Sequence, residues 1–112
     1  MKVLTTRVFL RRLRQLLKTY PSVIADLAPL IALLKQGETP GDRAPRVKGQ
    51  PIFKVRVPNR DAQSGKGGGY RVIYYIVTDE QRLLLTIYSK TDQTDITPDE
   101  LLRIIEEWEN EL

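Results

Sequence analysis

Two runs of residues, 70–78 (YRVIYYIVT) and 82–90 (RLLLTIYSK), carry apolar side chains on both of their alternating faces and are joined by a short polar turn around Asp79 and Glu80. β-Branched and aromatic residues dominate the first run and recur as Thr86, Ile87 and Tyr88 in the second, and a strand that is apolar on both faces belongs inside a sheet rather than at its edge. They read as a hairpin of two central strands. Upstream, residues 53–57 (FKVRV) alternate Phe53, Val55 and Val57 with Lys54 and Arg56, the period of two of a half-buried strand.

The flanks are helical. Over residues 6–20, Phe9, Leu10, Leu13, Leu16, Leu17 and Tyr20 recur at helical spacing. Arg7, Arg11, Arg14 and Lys18 follow at steps of four, three and four, a stripe of cations away from the apolar face that reads either as a solvated surface or as an RNA contact. Pro21 suits the start of a second helix, with Val23, Leu27, Leu30, Ile31 and Leu34 on one face and Gly37 after its end. Pro29 inside it predicts a kink, or a late start near Asp26. Residues 37–51, rich in Gly and Pro, read as a surface connector. The last helix opens on Thr97, Pro98 and Glu100, a capping box, and its apolar face is Leu101, Ile104, Ile105 and Trp108.

A chain of 112 residues is expected to form one domain, 1–112. The expected fold is α+β: two N-terminal antiparallel helices, an antiparallel sheet of three to four strands with helices on one side, and a C-terminal helix. The longest apolar run, 23–34, is broken by Asp26 and Pro29 and is shorter than the roughly 20 residues of a membrane span. The arginines between Arg7 and Arg14 are unlike a secretory leader, so a cytoplasmic location is expected.

With no Cys and no His, disulfides, thiol nucleophiles, structural zinc and Ser-His relays are excluded. The net charge of +4 is divided unevenly: residues 1–91 carry +11 and residues 92–112 carry −7. So basic a body attracts polyanions, nucleic acid above all, although a basic surface also occurs without such a partner.

Between the first two strands, the loop "SGKGGGY" fails the nucleotide pattern GxxxxGK[ST], having Arg60 and Gly67 where Gly and Ser or Thr are required. Its glycines permit positive φ and close backbone approach, which beside Arg60 and Lys66 leaves room for a phosphodiester or simply makes a flexible connection. If Lys54 and Arg56 face away from the first two helices, Arg71, Lys90, Tyr75 and Tyr88 can join them, subject to register and bulges. Clustered cations lower one another's pKa, so a lysine among them is expected to move towards the range of proton transfer.

The order of elements, the KVRV strand, the GYRVIYY strand and LLTIYSKTDQTDIT before the last helix resemble the RelE/ParE superfamily of bacterial toxins, and within it the RelE- and HigB-like branch. The resemblance implies a metal-independent, cofactor-free endoribonuclease of a type II toxin–antitoxin pair. Such a protein enters the ribosome, cuts messenger RNA by attack of the ribose 2′-hydroxyl, and is masked by a cognate antitoxin. Carried over residue by residue, it implies Lys54 as proton acceptor, Arg56 and Arg71 as stabilisers of phosphorane charge and Lys90 as a late phosphate-neutralising cation, with Arg60, Lys66 and Tyr88 binding nucleic acid. Thr91 and Thr97 stand where RelE-type members carry arginine and tyrosine. A gyrase-poisoning ParE-like toxin and a non-catalytic RNA-binding relative are the alternatives, since a shared fold does not fix function.

Overall fold

The computed structural model describes residues 1–44, 49–62, 68–91 and 95–112. Along the chain run β1 (Lys2–Thr5), α1 (Arg7–Thr19), α2 (Val23–Lys35), β2 (Asp42–Arg43), β3 (Ile52–Val57), β4 (Tyr70–Thr78), β5 (Gln81–Ser89) and α3 (Pro98–Asn110). The strands form one sheet in the order β1-β5-β4-β3-β2, with β1 parallel to β5 and every other pair antiparallel.

The chain is α+β, and two features depart from the expectation. The sheet has five strands and is mixed, where three to four antiparallel strands were expected. The additional strands, β1 and β2, hold four and two residues, too few for an alternation to show in the sequence. The helices also cover both faces of the sheet, not one. β4 and β5 are apolar on both sides, so each side needs a cover. On one, Phe9, Leu16, Leu27, Leu30 and Leu34 of α1 and α2 pack on Val57, Tyr70, Val72, Tyr74 and Ile87. On the other, Leu101, Ile104 and Ile105 of α3 pack on Ile52, Ile73, Leu83 and Leu85.

Local chemistry sets the helix ends. Thr6 caps α1: its Oγ1 accepts the Phe9 N–H at 3.0 Å and donates to the Leu85 carbonyl at 2.7 Å, tying the helix start to β5. α2 runs unbroken from Val23 to Lys35 through Pro29, which sits on the exposed side, so there is no late start near Asp26. The capping box of α3 forms as expected, Thr97 Oγ1 accepting the Glu100 N–H at 3.2 Å. That role accounts for a threonine at position 97.

One irregularity controls the rest. The β4–β5 register shifts between Ile73 and Tyr74, which pair with Thr86 and Leu84, so β5 holds an extra residue there. Leu83 and Leu85 face α3, and strict alternation would send Ile87 to that face too. Past the bulge, Ile87 joins the α1–α2 core and Tyr88 the α3 side. Tyr75 lies on the α3 side as well, and both tyrosines are buried in its core.

Candidate nucleic-acid interface

β3 sends Phe53, Val55 and Val57 into the α1–α2 core, which leaves Lys54 and Arg56 on the opposite face of the sheet. The β3–β4 register sets Arg56 directly across from Arg71, and the β4–β5 register sets Arg71 across from Tyr88. Lys54, Arg56 and Arg71 line one open cavity of about 240 Å³ with Asp42, Arg43 and Ala44. Like charges directly opposite each other on adjacent strands oppose folding, so the Arg56–Arg71 pairing suits an anion held between the guanidinium groups. Their present partners are backbone carbonyls: Arg56 Nη2 donates to Gly68 at 3.2 Å and Arg71 Nη1 to Tyr70 at 3.4 Å.

Backbone geometry brings the walls close. Gly69, at φ +113°, places its amide plane where a Cβ would approach the Val57 carbonyl oxygen to 2.8 Å, and its own carbonyl accepts the Lys90 N–H at 3.1 Å. Gly41, at φ +90°, lies where a Cβ would collide with the Lys54 carbonyl, which lets β2 close over β3.

Lys54 does not have the lowered pKa expected of a lysine among arginines. Its Nζ donates to Asp95 Oδ1 at 3.0 Å, and the same oxygen accepts the Tyr88 hydroxyl at 3.2 Å and the Ile96 N–H at 2.9 Å. The hydrogen bond to Asp95 raises the Lys54 pKa above its ordinary value, outweighing the opposing effect of partial burial. Asp95 is correspondingly held below the usual carboxylate range, first by Lys54 and then by the Ile96 N–H. Tyr88 is raised, mainly by burial, so its hydroxyl stays protonated and donates. Lys54 is therefore an ammonium at neutral pH, a proton donor and a fixed positive charge.

The other candidate residues lie elsewhere. Lys90 sits one position beyond β5 and does not line the cavity. Arg60 turns towards α2, its Nε donating to Asp26 Oδ1 at 2.6 Å and its backbone N–H to Asp26 Oδ2 at 3.2 Å. Lys66 lies outside the described residues. Thr91 meets Ser89, the hydroxyls 2.9 Å apart. The sequence reading missed Asp42, Asp95 and Arg43, whose guanidinium lies 5.9 Å from the centre of the Phe53 ring. Asp42 and Arg43 sit in a Gly/Pro-rich stretch without periodicity, and Asp95 precedes the α3 cap, so no pattern marked any of the three.

No protein-family model matches the chain. Among the described residues no group of three His, Cys, Asp or Glu side chains is arranged to hold a metal ion, and no helix is long and apolar enough to cross a membrane.

Proposed function

We propose that this chain is a RelE/HigB-like toxin of a type II toxin–antitoxin pair, an endoribonuclease that cuts messenger RNA on the ribosome and is held inactive by its antitoxin. The observation that carries the reading is the meeting of Lys54, Arg56 and Arg71, from two strands, around one open cavity of about 240 Å³. In the reaction, the 2′-oxygen bonds to phosphorus, its proton passes to a base, and the bond from phosphorus to the 5′-oxygen breaks as that oxygen takes up a proton. The products are a 2′,3′-cyclic phosphate and a free 5′-hydroxyl. Arg56 and Arg71 stabilise the charge that gathers on the non-bridging oxygens, work suited to planar, permanently charged forks. Lys54 enters this scheme as an ammonium, so it acts as a third cation or as the donor to the departing 5′-oxygen; serving instead as proton acceptor would first require loss of its own proton, which the contact with Asp95 disfavours.

Induced expression followed by mapping of 5′ ends on translated messages tests the proposal. New ends bearing 5′-hydroxyls are expected for the natural chain, and none for Lys54→Ala combined with Arg71→Ala. Cleavage at an unchanged rate in that double variant would refute the assignment. The engagement of Lys54 by Asp95 favours one second reading, a non-catalytic RNA binder, which predicts salt-sensitive RNA binding without new ends.

A further inference from the structure

α1 holds five basic residues and no acidic one, in contrast to α2 and α3, each of which mixes the two signs. Arg7, Arg11, Arg14 and Lys18 are all exposed and occupy the side of α1 opposite its buried Phe9 and Leu16. Like charges three and four residues apart destabilise a helix, by about 0.2–0.5 kcal/mol per pair, and this stripe contains three such steps in a row. Within the described residues only Arg7 among these four makes an ion pair, with Glu111 at 3.3 Å. Arg11 shares a cleft with Glu100 and Glu107 of α3, but Arg14 and Lys18 lie outside it.

The stripe is not isolated from the cation cavity. Arg12, Gln15 and Thr19, on the flank of α1 beside the stripe, form a polar groove of about 190 Å³ with Tyr88 and Ser89 at the end of β5. Tyr88 is the residue whose hydroxyl meets Asp95, which in turn holds Lys54. The stripe thus neighbours, through Arg12 and the buried Tyr88, the Asp95–Lys54 contact. From Arg7 to Lys18 the helix rises roughly 16 Å, comparable with about five nucleotides of one strand at about 3.4 Å each.

We infer that α1 is a second RNA-contacting surface, which grips the phosphate backbone without regard to sequence beside the Lys54–Arg56–Arg71 cavity. This goes beyond the cleavage reading, because it holds whether or not the cavity cuts RNA. An anionic membrane fits less well: interfacial helices place their large apolar residues against the lipid, and here Phe9 and Leu16 are buried in the core, which leaves Leu10 and Leu17, 38% and 37% exposed, as the exposed large apolar residues of α1.

The test is fluorescence anisotropy with a 2′-O-methyl single-stranded RNA, which cannot undergo 2′-hydroxyl attack, titrated at several salt concentrations. The variant Arg11→Gln, Arg14→Gln, Lys18→Gln changes only exposed positions, and circular dichroism checks its fold. Affinity is expected to fall about tenfold at near-physiological salt, and the slope of log K against log salt to shrink by about 2, at about 0.7 per lost phosphate contact. The cavity variant Lys54→Ala, Arg71→Ala is measured alongside. If it also weakens binding, both surfaces hold RNA; if it leaves binding unchanged while the α1 variant weakens it, the cavity reading fails and this inference stands. Unchanged affinity and slope in the α1 variant would overturn the inference, as would tighter binding of the natural chain to phosphatidylserine vesicles than to RNA.

Discussion

Two ion pairs, Asp26–Arg60 and Asp95–Lys54, join distant parts of the chain with similar chemistry in opposite environments. In the first the carboxylate is buried, its side chain 4% exposed, and the cation is open to solvent. In the second the lysine is the more sheltered partner, 28% exposed, while the carboxylate is 64% exposed. A buried carboxylate that loses its cation is left without compensation, whereas an exposed one is readily rehydrated. The Asp26–Arg60 pair therefore belongs to the architecture, fixing the chain after β3 against the first turn of α2. That attachment is reinforced nearby, where Asp61 accepts the Ser22 N–H at 2.7 Å. The Asp95–Lys54 pair is an exposed contact that costs little to break, as the proposed phosphate site requires.

Substitutions separate the two pairs. Arg60→Ala should have the largest effect on stability, about 2–3 kcal/mol in urea denaturation, because Asp26 keeps only the backbone N–H of residue 60. A loss below about 0.5 kcal/mol would mean that the buried carboxylate does not need its cation. Gly69→Ala should cost about 1–3 kcal/mol by the same measurement, since alanine must adopt φ near +113° against the Val57 carbonyl. Asp95→Asn should change stability by less than about 1 kcal/mol, yet raise affinity for RNA roughly fivefold by removing a competing negative charge. A large loss of stability there would move this pair into the architectural class.

The smallest effect is on pH dependence. Because the Lys54 pKa is raised from its ordinary 10.5, the lysine's contribution is fully present below that value and is lost only as pH climbs through the raised one. Because the Asp95 pKa is lowered from 3.8, the carboxylate's contribution is present above that value and is lost as pH falls through the lowered one. The pair thus stays intact across the neutral range. NMR titration of Lys54 Nζ should give a lower pKa in Asp95→Asn than in the natural chain.

Periodicity made much of this molecule legible. The alternation in FKVRV put Lys54 and Arg56 together on the side of β3 opposite Val55 and Val57, and two-sided apolar runs placed β4 and β5 inside the sheet. The facing of Tyr88 was not legible, because it depends on a bulge that inserts one residue between Leu84 and Thr86 without any marker in composition. The state of Lys54 was not legible either. The sequence brought cations near it, but the carboxylate that overrides them lies 41 positions away and arrives only through the fold. Arg60 was misplaced for the same reason, its partner Asp26 being 34 positions upstream inside a helix.

Titrating a 2′-deoxy dinucleotide into the isotope-labelled chain, while following the Nε resonances of Arg56 and Arg71 and the Nζ resonance of Lys54, tests most directly whether the cavity holds a phosphodiester. The three should shift along a common saturation curve, with Lys54 losing its contact with Asp95. Arginine signals that stay fixed at saturating dinucleotide would contradict it.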